Sequence, residues 1–428
     1  MRDFLPEDVR RREHVIGIIK KVYERYGFEP LETPAVENIE TLLGKYGDEG
    51  NQLIFKILMR GEHEASGKAD LALRYDLTVP LARVVAQYQS KLPRLFKRYQ
   101  IQPVWRADRP ARGRFREFYQ CDVDSLGSHS PVVEAEVCAA VADALTDLGF
   151  TDFVIRLNHR QLLTSMLAAA GIADDFHATA LVAVDKLDKV GADGVTAEME
   201  TRGIRAESAA TLLAALGNRD LASLTGFDES GTAAIDNLRQ IMTLAAGTSA
   251  GGRIQLDLSL ARGLSYYTGA IMEVNVADLA GSLGGGGRYD NLVGMFLGQN
   301  IPACGFSLGL ERILVVMTER NMFPASLALT PADVMVAAFD ASGLGESMRV
   351  AGRLRDAGLR VFVYPDADKI GKQIKYADGR GIPFVALLGQ DEIQAGTVTV
   401  KDLKAQTQNI YDQAAAGAAI LEAMKQRG

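Results

Sequence analysis

The chain has 428 residues, 47% of them hydrophobic and 24% charged, with 54 acidic against 47 basic side chains and a net charge of −7. At roughly 100 to 200 residues per domain this length predicts two to four domains, each with its own core, and the composition excludes a disordered chain. The acidic balance excludes a surface coated in positive charge, so any nucleic-acid site must be a local basic patch on an acidic body.

The opening MRDFLPEDVRRRE places charges where an apolar signal core would lie, and no uncharged apolar run of about 18 residues follows, which predicts a cytoplasmic protein with no membrane partner. After Pro6, the residues Val15, Ile18, Ile19, Val22 and Tyr26 form one stripe at helical spacing, with Gly27 as C-terminal cap. From Ala69 to Thr78 the period falls to two, which predicts a strand with Arg74, Asp76 and Thr78 on its polar face. A second extended segment, Arg114 to Asp124, places Arg114, Arg116, Phe118, Gln120, Asp122 and Asp124 together. Val132 to Leu148 reads as a buried, Ala-rich helix and Asp152 to Leu157 as a strand.

From about Gly171 to Ala246 the chain is rich in Ala, Leu and charge at helical spacing, which predicts a helical insertion. The linker Gly247 to Gly252 returns it to strand alternation in Ile254, Leu256, Leu258 and Leu260. A turn-rich run, Arg262 to Gly269, leads to another strand ending near Val276, and these two strands are a candidate hairpin. Four glycines, Gly284 to Gly287, precede Arg288-Tyr289-Asp290 and a helix-like stretch, Asn291 to Phe296; Gly305 to Arg312 then runs into an apolar helix. Beyond about Pro331 the expected order is strand Val334 to Phe339, helix Glu346 to Ala357, strand Val361 to Tyr364, helix Ile370 to Tyr376 and strand Phe384 to Leu388. A short strand, Thr397 to Val400, and an Ala-rich helix, Ala414 to Lys425, complete a small α/β domain with right-handed crossovers.

Several chemistries have no residues to run them. A phosphate-binding Walker loop is missing, since Gly371-Lys372-Gln373 carries Gln where the metal-binding hydroxyl belongs, and the glycine run lacks the dinucleotide spacing. The five histidines show no metal-binding spacing, and no Ser or Cys stands in a nucleophile elbow. Cys121, Cys138 and Cys304, odd in number and without a C-x-x-C pair, exclude a disulfide framework and fit a reducing compartment. What remains is positioning and charge stabilisation, the work of phosphoryl and nucleotidyl transfer.

Residues 106–116 hold five arginines in eleven positions, and guanidinium forks suit phosphate. Such a run by itself is also what a solvated basic hairpin looks like. Its continuation along one strand face adds an aromatic for a base, an amide and two carboxylates, so phosphate, base and amine are all met. Plainer accounts exist for the other signals: Asp76 as an ordinary salt bridge to Arg74, Tyr266-Tyr267 as a core pair, and the glycine run as a flexible loop rather than backbone brought close to a ligand.

Together these residues resemble the class II aminoacyl-tRNA synthetases, and within them the histidyl branch, over nearly the whole chain. Thr33-Pro34 after a long helix is similar to motif 1, Trp105-Arg106 through Gln120-Cys-Asp-Val-Asp124 to motif 2, and Gly305 to Arg312 to motif 3. Ala261-Arg-Gly-Leu-Ser-Tyr-Tyr-Thr-Gly269 and Gly284 to Asp290 are similar to the two histidine signatures, except that Ser265 replaces the family's aspartate.

The resemblance implies an α+β fold: an antiparallel-sheet catalytic domain in two parts, 1–170 and 248–328, a helical insertion, 171–247, reaching the tRNA acceptor arm, and an α/β anticodon-binding domain, 329–428. It implies ATP and Mg2+, L-histidine and tRNA(His) as ligands and a homodimer formed through motif 1. Asp76 and Thr78, helped by Gln120, would hold the histidine α-amino group, and Leu77 would also belong to the histidine site. Asp124 and Tyr267 would read the imidazole, with Tyr266 walling the pocket. Arg106 would hold the α-phosphate and the histidine carboxylate, with Arg114 and Arg312 on the outer phosphates, Phe118 on adenine and Asp108 also in the ATP site. Arg262 would be the catalytic arginine. The rival is a regulatory paralogue, a class that generally lacks the anticodon domain and the catalytic arginines present here.

Overall fold

Pro6 opens the first helix, Pro6–Arg25, where a missing N–H costs nothing. Of the predicted stripe Val15, Ile19 and Val22 are buried and Ile18 and Tyr26 partly so, Tyr23 is buried beside them, and Gly27, at φ 73°, closes the helix. The computed structural model describes residues 1–61, 66–261, 266–324, 327 and 330–426. They fall into two compact units, one formed by 1–3 and 11–323, the other by 4–10 and 324 onward.

The strands of the first unit are, in chain order, β1 Glu29–Pro30, β2 Val36–Asn38, β3 Lys56–Leu58, β4 Ala69–Leu73, β5 Phe96–Trp105, β6 Glu117–Leu126, β7 Val154–His159, β8 Ile254–Leu256, β9 Ala270–Asn275, β10 Gly284–Arg288 and β11 Ala303–Gly309. Eight of them make one sheet in the order β1-β5-β6-β11-β10-β9-β7-β8; β2, β4 and β3 form a small second sheet. The large sheet is antiparallel except at its rims, where β1 pairs with β5 and β8 with β7 in parallel. Helix Val132–Asp147 packs on it, and its alanines, 135, 139, 140, 142 and 144, are buried where bulkier side chains would hold the layers apart. Between β7 and β8 the chain is helical: His177–Val184, Leu187–Thr201, Ala206–Leu216 and Glu229–Ala245, the last packed on helices Val132–Asp147 and Arg160–Ala169.

Four expectations need correction. Alternation over 69–78 does not continue as a strand: β4 ends at Leu73, and a helix, Thr78–Gln87, begins where Asp76 accepts the Val79 N–H and Pro80 sits in the first turn. The strand expected from Arg114 starts only at Glu117, because Ala111 and Arg114 pair across a turn in which Gly113 has φ 69°. β8 and β9 form no hairpin: β7 lies between them, and Leu258 and Leu260 fall outside β8. The helix-like stretch Asn291 to Phe296 is confined to Gly294–Leu297, and the glycine run before it is β10, inside the sheet, so the plainer account of it as a flexible loop fails.

In the second unit β12 Val334–Ala338, β13 Val361–Val363, β14 Phe384–Leu388, β15 Thr397–Asp402 and β16 Thr407–Asp412 form one sheet, ordered β13-β12-β14-β15-β16. The first three are parallel with helices as crossovers, and β15 and β16 add an antiparallel edge. β16 is nearly all exposed, so it carries no apolar alternation that the sequence could reveal.

Candidate active site

β6 supplies the floor of a cleft. Its period of two puts Phe118, Gln120, Asp122 and Asp124 on one face, and β11 and β10 extend each row sideways. Asp122 stands beside Ser307 and Gly285, and Asp124 beside Gly305 and Gly287. A cleft of about 200 Å³ opens over these rows, with Thr78, Tyr267 and Tyr289 among its walls. The glycines make this room: a Cβ on Gly305 would lie 1.9 Å from Asp124 Oδ1, and one on Gly287 3.0 Å from the Tyr267 ring.

Beside β6 in the same sheet, β5 contributes Arg98, Gln100 and Gln102, paired in register with Asp124, Asp122 and Gln120 and so on the same face. Arg98 is fully buried, with Nη2 2.9 Å from Asp124 Oδ2 and 3.8 Å from Asp122 Oδ2. The Tyr289 hydroxyl donates to Asp124 Oδ1. Burial raises both carboxyls above their ordinary value against the pull of Arg98, and at Asp122 the neighbouring Asp124 raises the carboxyl further. When both carboxyls are ionised, the single guanidinium leaves an excess of negative charge facing the cleft.

Asp76 forms a second acidic point. It is 1% exposed, and its oxygens accept the Val79 N–H at 3.0 Å, the Tyr46 hydroxyl at 2.9 Å and the Tyr266 hydroxyl at 3.0 Å. Burial raises this carboxyl as well, against those donors. The salt bridge to Arg74 is not formed: Arg74 donates instead to the carbonyls of Thr33 at 2.6 Å and Pro103 at 2.8 Å and to Gln102 Oε1 at 2.9 Å. Leu77 is buried, and its carbonyl accepts from Arg98 at 3.3 Å. Gln120 donates to Ser307 Oγ at 2.9 Å, while its Oε1 has no partner among the described residues. Tyr266 packs edge-on against Tyr267 at 5.2 Å and Tyr289 at 5.9 Å, so the tyrosine pair is at once core and wall.

The arginines lie farther along the face. The Arg106 guanidinium is stacked between Tyr75, 4.3 Å from the ring centre, and Phe118, at 5.2 Å, with Nε donating to the Tyr75 carbonyl at 3.0 Å. Arg114 is exposed and pairs with Asp108 at 2.8 Å; Arg312 donates to the Ser282 carbonyl and closes over Gly113. Arg262 and Ser265 lie outside the described residues. Among the described residues no three His, Cys, Asp or Glu side chains gather as a metal site requires, and Cys121, Cys138 and Cys304 are free and buried.

The structure thus brings Asp76, Leu77, Thr78, Gln120, Asp124, Tyr266 and Tyr267 to one end of the face, and Arg106, Asp108, Arg114, Phe118 and Arg312 to the other. Sequence reading missed Arg98, Tyr46 and Ser307. For Arg98 a signal was present: Arg98, Gln100 and Gln102 alternate with Tyr99, Ile101 and Pro103, a polar strand face like that of β6.

Comparison with known proteins agrees with this geometry. A family model described as histidyl-tRNA synthetase matches residues 1–313, and one described as an anticodon binding domain matches 333–422. The chain is 42% identical to a histidine–tRNA ligase of Cytophaga hutchinsonii over 427 residues, covering 94% of each, and 41% identical to one of Gloeobacter violaceus, covering 97% of this chain and 96% of the other. A crystal structure of histidyl-tRNA synthetase from Nostoc superposes with a TM-score of 0.82 at 32% identity, covering 98% of this chain and 97% of that one. The chain belongs to the histidyl-tRNA synthetase family.

Proposed function

We propose how the side chains of this cleft divide the work of the family's reaction, the ATP-dependent ligation of histidine to tRNA in two steps. In the first, the histidine carboxylate attacks the α-phosphate of ATP and pyrophosphate leaves; in the second, the terminal ribose hydroxyl of tRNA attacks the histidyl carbonyl and AMP leaves. A carboxylate is already ionised, so the first step needs no general base. Its barrier is the repulsion of like charges, which fixed guanidinium groups lower.

The observation that carries the assignment is the pairing of two acidic points, Asp76 and the Asp122–Asp124 pair, at one end of a face whose other end is arginine and phenylalanine. An α-ammonium group suits Asp76 and the unpartnered Gln120 Oε1, beside Leu77 and Thr78. An imidazole suits Asp124 and Tyr267, with Tyr266 as wall. Arg106, held flat between two rings, would meet the carboxylate and α-phosphate. Phe118 would take adenine, and Arg114, released from Asp108, would join Arg312 on the outer phosphates. Arg262 would neutralise the α-phosphate as attack occurs. Mg2+ would enter with ATP and would add to the neutralisation of phosphate charge beside Arg114 and Arg312.

We assign the helices of 171–247 to the acceptor arm of tRNA(His), 329–428 to its anticodon, and 1–170 with 248–328 to catalysis. A homodimer through Thr33-Pro34 is supported by Val36 and Leu58, large apolar side chains left exposed on the small sheet. No helix among the described residues is long and apolar enough to cross a membrane, and we place the reaction in the cytoplasm. The test is histidine-dependent ATP–pyrophosphate exchange with the other amino acids as controls. Arg262→Ala is expected to abolish most exchange while leaving thermal stability intact. Unchanged exchange would remove Arg262 from the mechanism, and exchange with another amino acid would overturn the imidazole reading.

A further inference from the structure

On the strand face that floors the cleft, Asp122 Oδ1 and Asp124 Oδ2 both lack a hydrogen-bond partner among the described residues, but only Asp124 Oδ2 has the Arg98 guanidinium against it, at 2.9 Å. The other Asp124 oxygen accepts from the Tyr289 hydroxyl. Asp122 is 3.8 Å from the same guanidinium, is 2% exposed, and its Oδ1 has no hydrogen-bond partner among the described residues, although the side chain lines the cleft. A buried acceptor left open is costly unless a ligand fills it. Both carboxylates rise from the same face of one strand, two residues apart, so a flat ring entering between Thr78 and Tyr267 meets an acceptor toward each end.

Building on the reading that this cleft takes the histidine side chain against Asp124, we propose that Asp122 is the second acceptor of the imidazole, which is bound with both nitrogens protonated and one N–H directed to each carboxylate. Charge balance in a dry site supports this. Empty and below about pH 7, the group holds Arg98 as a cation, Asp124 as an anion and Asp122 with a proton: burial pushes the Asp122 carboxyl up to about 7 against the pull of Arg98, with Asp124 and Asp76 adding repulsion and the Ser307 hydroxyl donating to it. A neutral imidazole that enters takes that proton. The Asp122 O–H bond breaks, a ring N–H forms, and two carboxylates now face two cations. The group is neutral before and after, so the low dielectric is never asked to hold a net charge. A site that pairs two N–H groups rejects every side chain of similar size that offers one, because a buried carboxylate is then left unpartnered.

The test uses the full-length protein and histidine with nitrogen-15 in its ring, at about pH 7.5, above histidine's ordinary ~6.5. Nitrogen shifts of the bound ligand are expected to report two protonated ring nitrogens. Asp122→Asn is expected to leave one nitrogen unprotonated and to raise the histidine Kd about ten- to a hundredfold. The same change should scarcely alter the Kd of triazolylalanine, an isostere too weakly basic to carry the second proton. A bound ring with one bare nitrogen in the unaltered protein overturns the proposal, whether or not the variant folds; so does Asp122→Asn with affinity and ring protonation unchanged. Asp124→Asn separates the two levels of inference. If it weakens histidine binding and Asp122→Asn does not, only the second acceptor is lost. If neither does, the imidazole reading of the cleft falls with it.

Discussion

Tyr266 and Asp76, 190 residues apart in sequence, are joined by a 3.0 Å hydrogen bond from phenol to carboxylate, and Tyr46 completes the clamp from the other side at 2.9 Å. A carboxylate this deeply buried keeps its charge only while donors surround it. Removing either phenol therefore acts on the charge state of Asp76 as well as on its position.

Tyr266→Phe is expected to raise the KM for histidine about five- to fiftyfold in pyrophosphate exchange, the cost of one donor to a buried charge, with the KM for ATP nearly unchanged. Tyr46→Phe should do the same. The double variant should lose less than the product of the two, because an Asp76 already driven toward its neutral form has less left to lose from the second phenol. Strict multiplication would show that the two hydroxyls act independently of the carboxylate.

How much of this was legible depended on whether a feature is periodic. The floor strand was readable because Phe118, Gln120, Asp122 and Asp124 alternate with residues of another character, and the helix over Val15 to Tyr26 for the same reason at a different period. Asp76 and Thr78 were placed together correctly but on the wrong element: a carboxylate three residues ahead of an amide it caps looks, in a short window, like one more step of an alternating strand. Gly284 to Gly287 offered no side chains to alternate, so their place inside the sheet was invisible. It follows from what the neighbours need, the Asp124 carboxylate over Gly305 and the Tyr267 ring over Gly287. Arg98 meets Asp124 only through strand register, which no local pattern encodes.

Phe118 braces the Arg106 guanidinium from one side while Tyr75 holds the other. Phe118→Leu keeps apolar bulk but removes the ring. If the ring stacks on adenine, the KM for ATP should rise about five- to a hundredfold, the range of one base–aromatic stack, and kcat should fall as well because Arg106 is loosened. The KM for histidine should move least. Equal losses for both substrates would mean that the phenylalanine serves only to hold Arg106.

Asp122 gives a dependence on pH with a definite sign. Its carboxyl has an ordinary value of 3.8 and stands at about 7 in the folded chain, chiefly through burial. The folded protein therefore keeps a proton that the unfolded chain has released. The stability linked to this group is fully present below about 3.8 and is lost as the pH rises through about 7. Asp122→Asn removes the titration, so the variant should gain on its parent as the pH rises from about 4 to about 7, the window set by those two values, when their Tm values are compared across it. A Tm difference that stays constant across it would show that Asp122 does not hold the proton.

One contact outside the cleft reaches both ends of it. Arg12, on the first helix, lies 2.9 Å from Glu311 Oε1, while Glu311 Oε2 accepts the Tyr119 N–H at 2.8 Å; both side chains are buried. Tyr119 sits between Phe118 and Gln120, and Glu311 precedes Arg312, so one carboxylate fixes the floor strand against the helix that carries an outer arginine. Burial already raises the Glu311 carboxyl, against the pull of the Tyr119 amide and Arg12. Arg12→Met strands that charge and is expected to cost about 3 to 5 kcal/mol in denaturant unfolding at neutral pH. The loss should shrink as the pH falls, because a carboxyl raised further by the missing guanidinium takes up a proton more readily in the folded chain. Adding Glu311→Gln should recover part of the loss, since the neutral amide oxygen still accepts from Tyr119 and no unpaired charge remains. If the loss in Arg12→Met neither shrinks as the pH falls nor is recovered by Glu311→Gln, it comes from the packing of Arg12 over the Tyr119 ring, 4.5 Å away, rather than from charge.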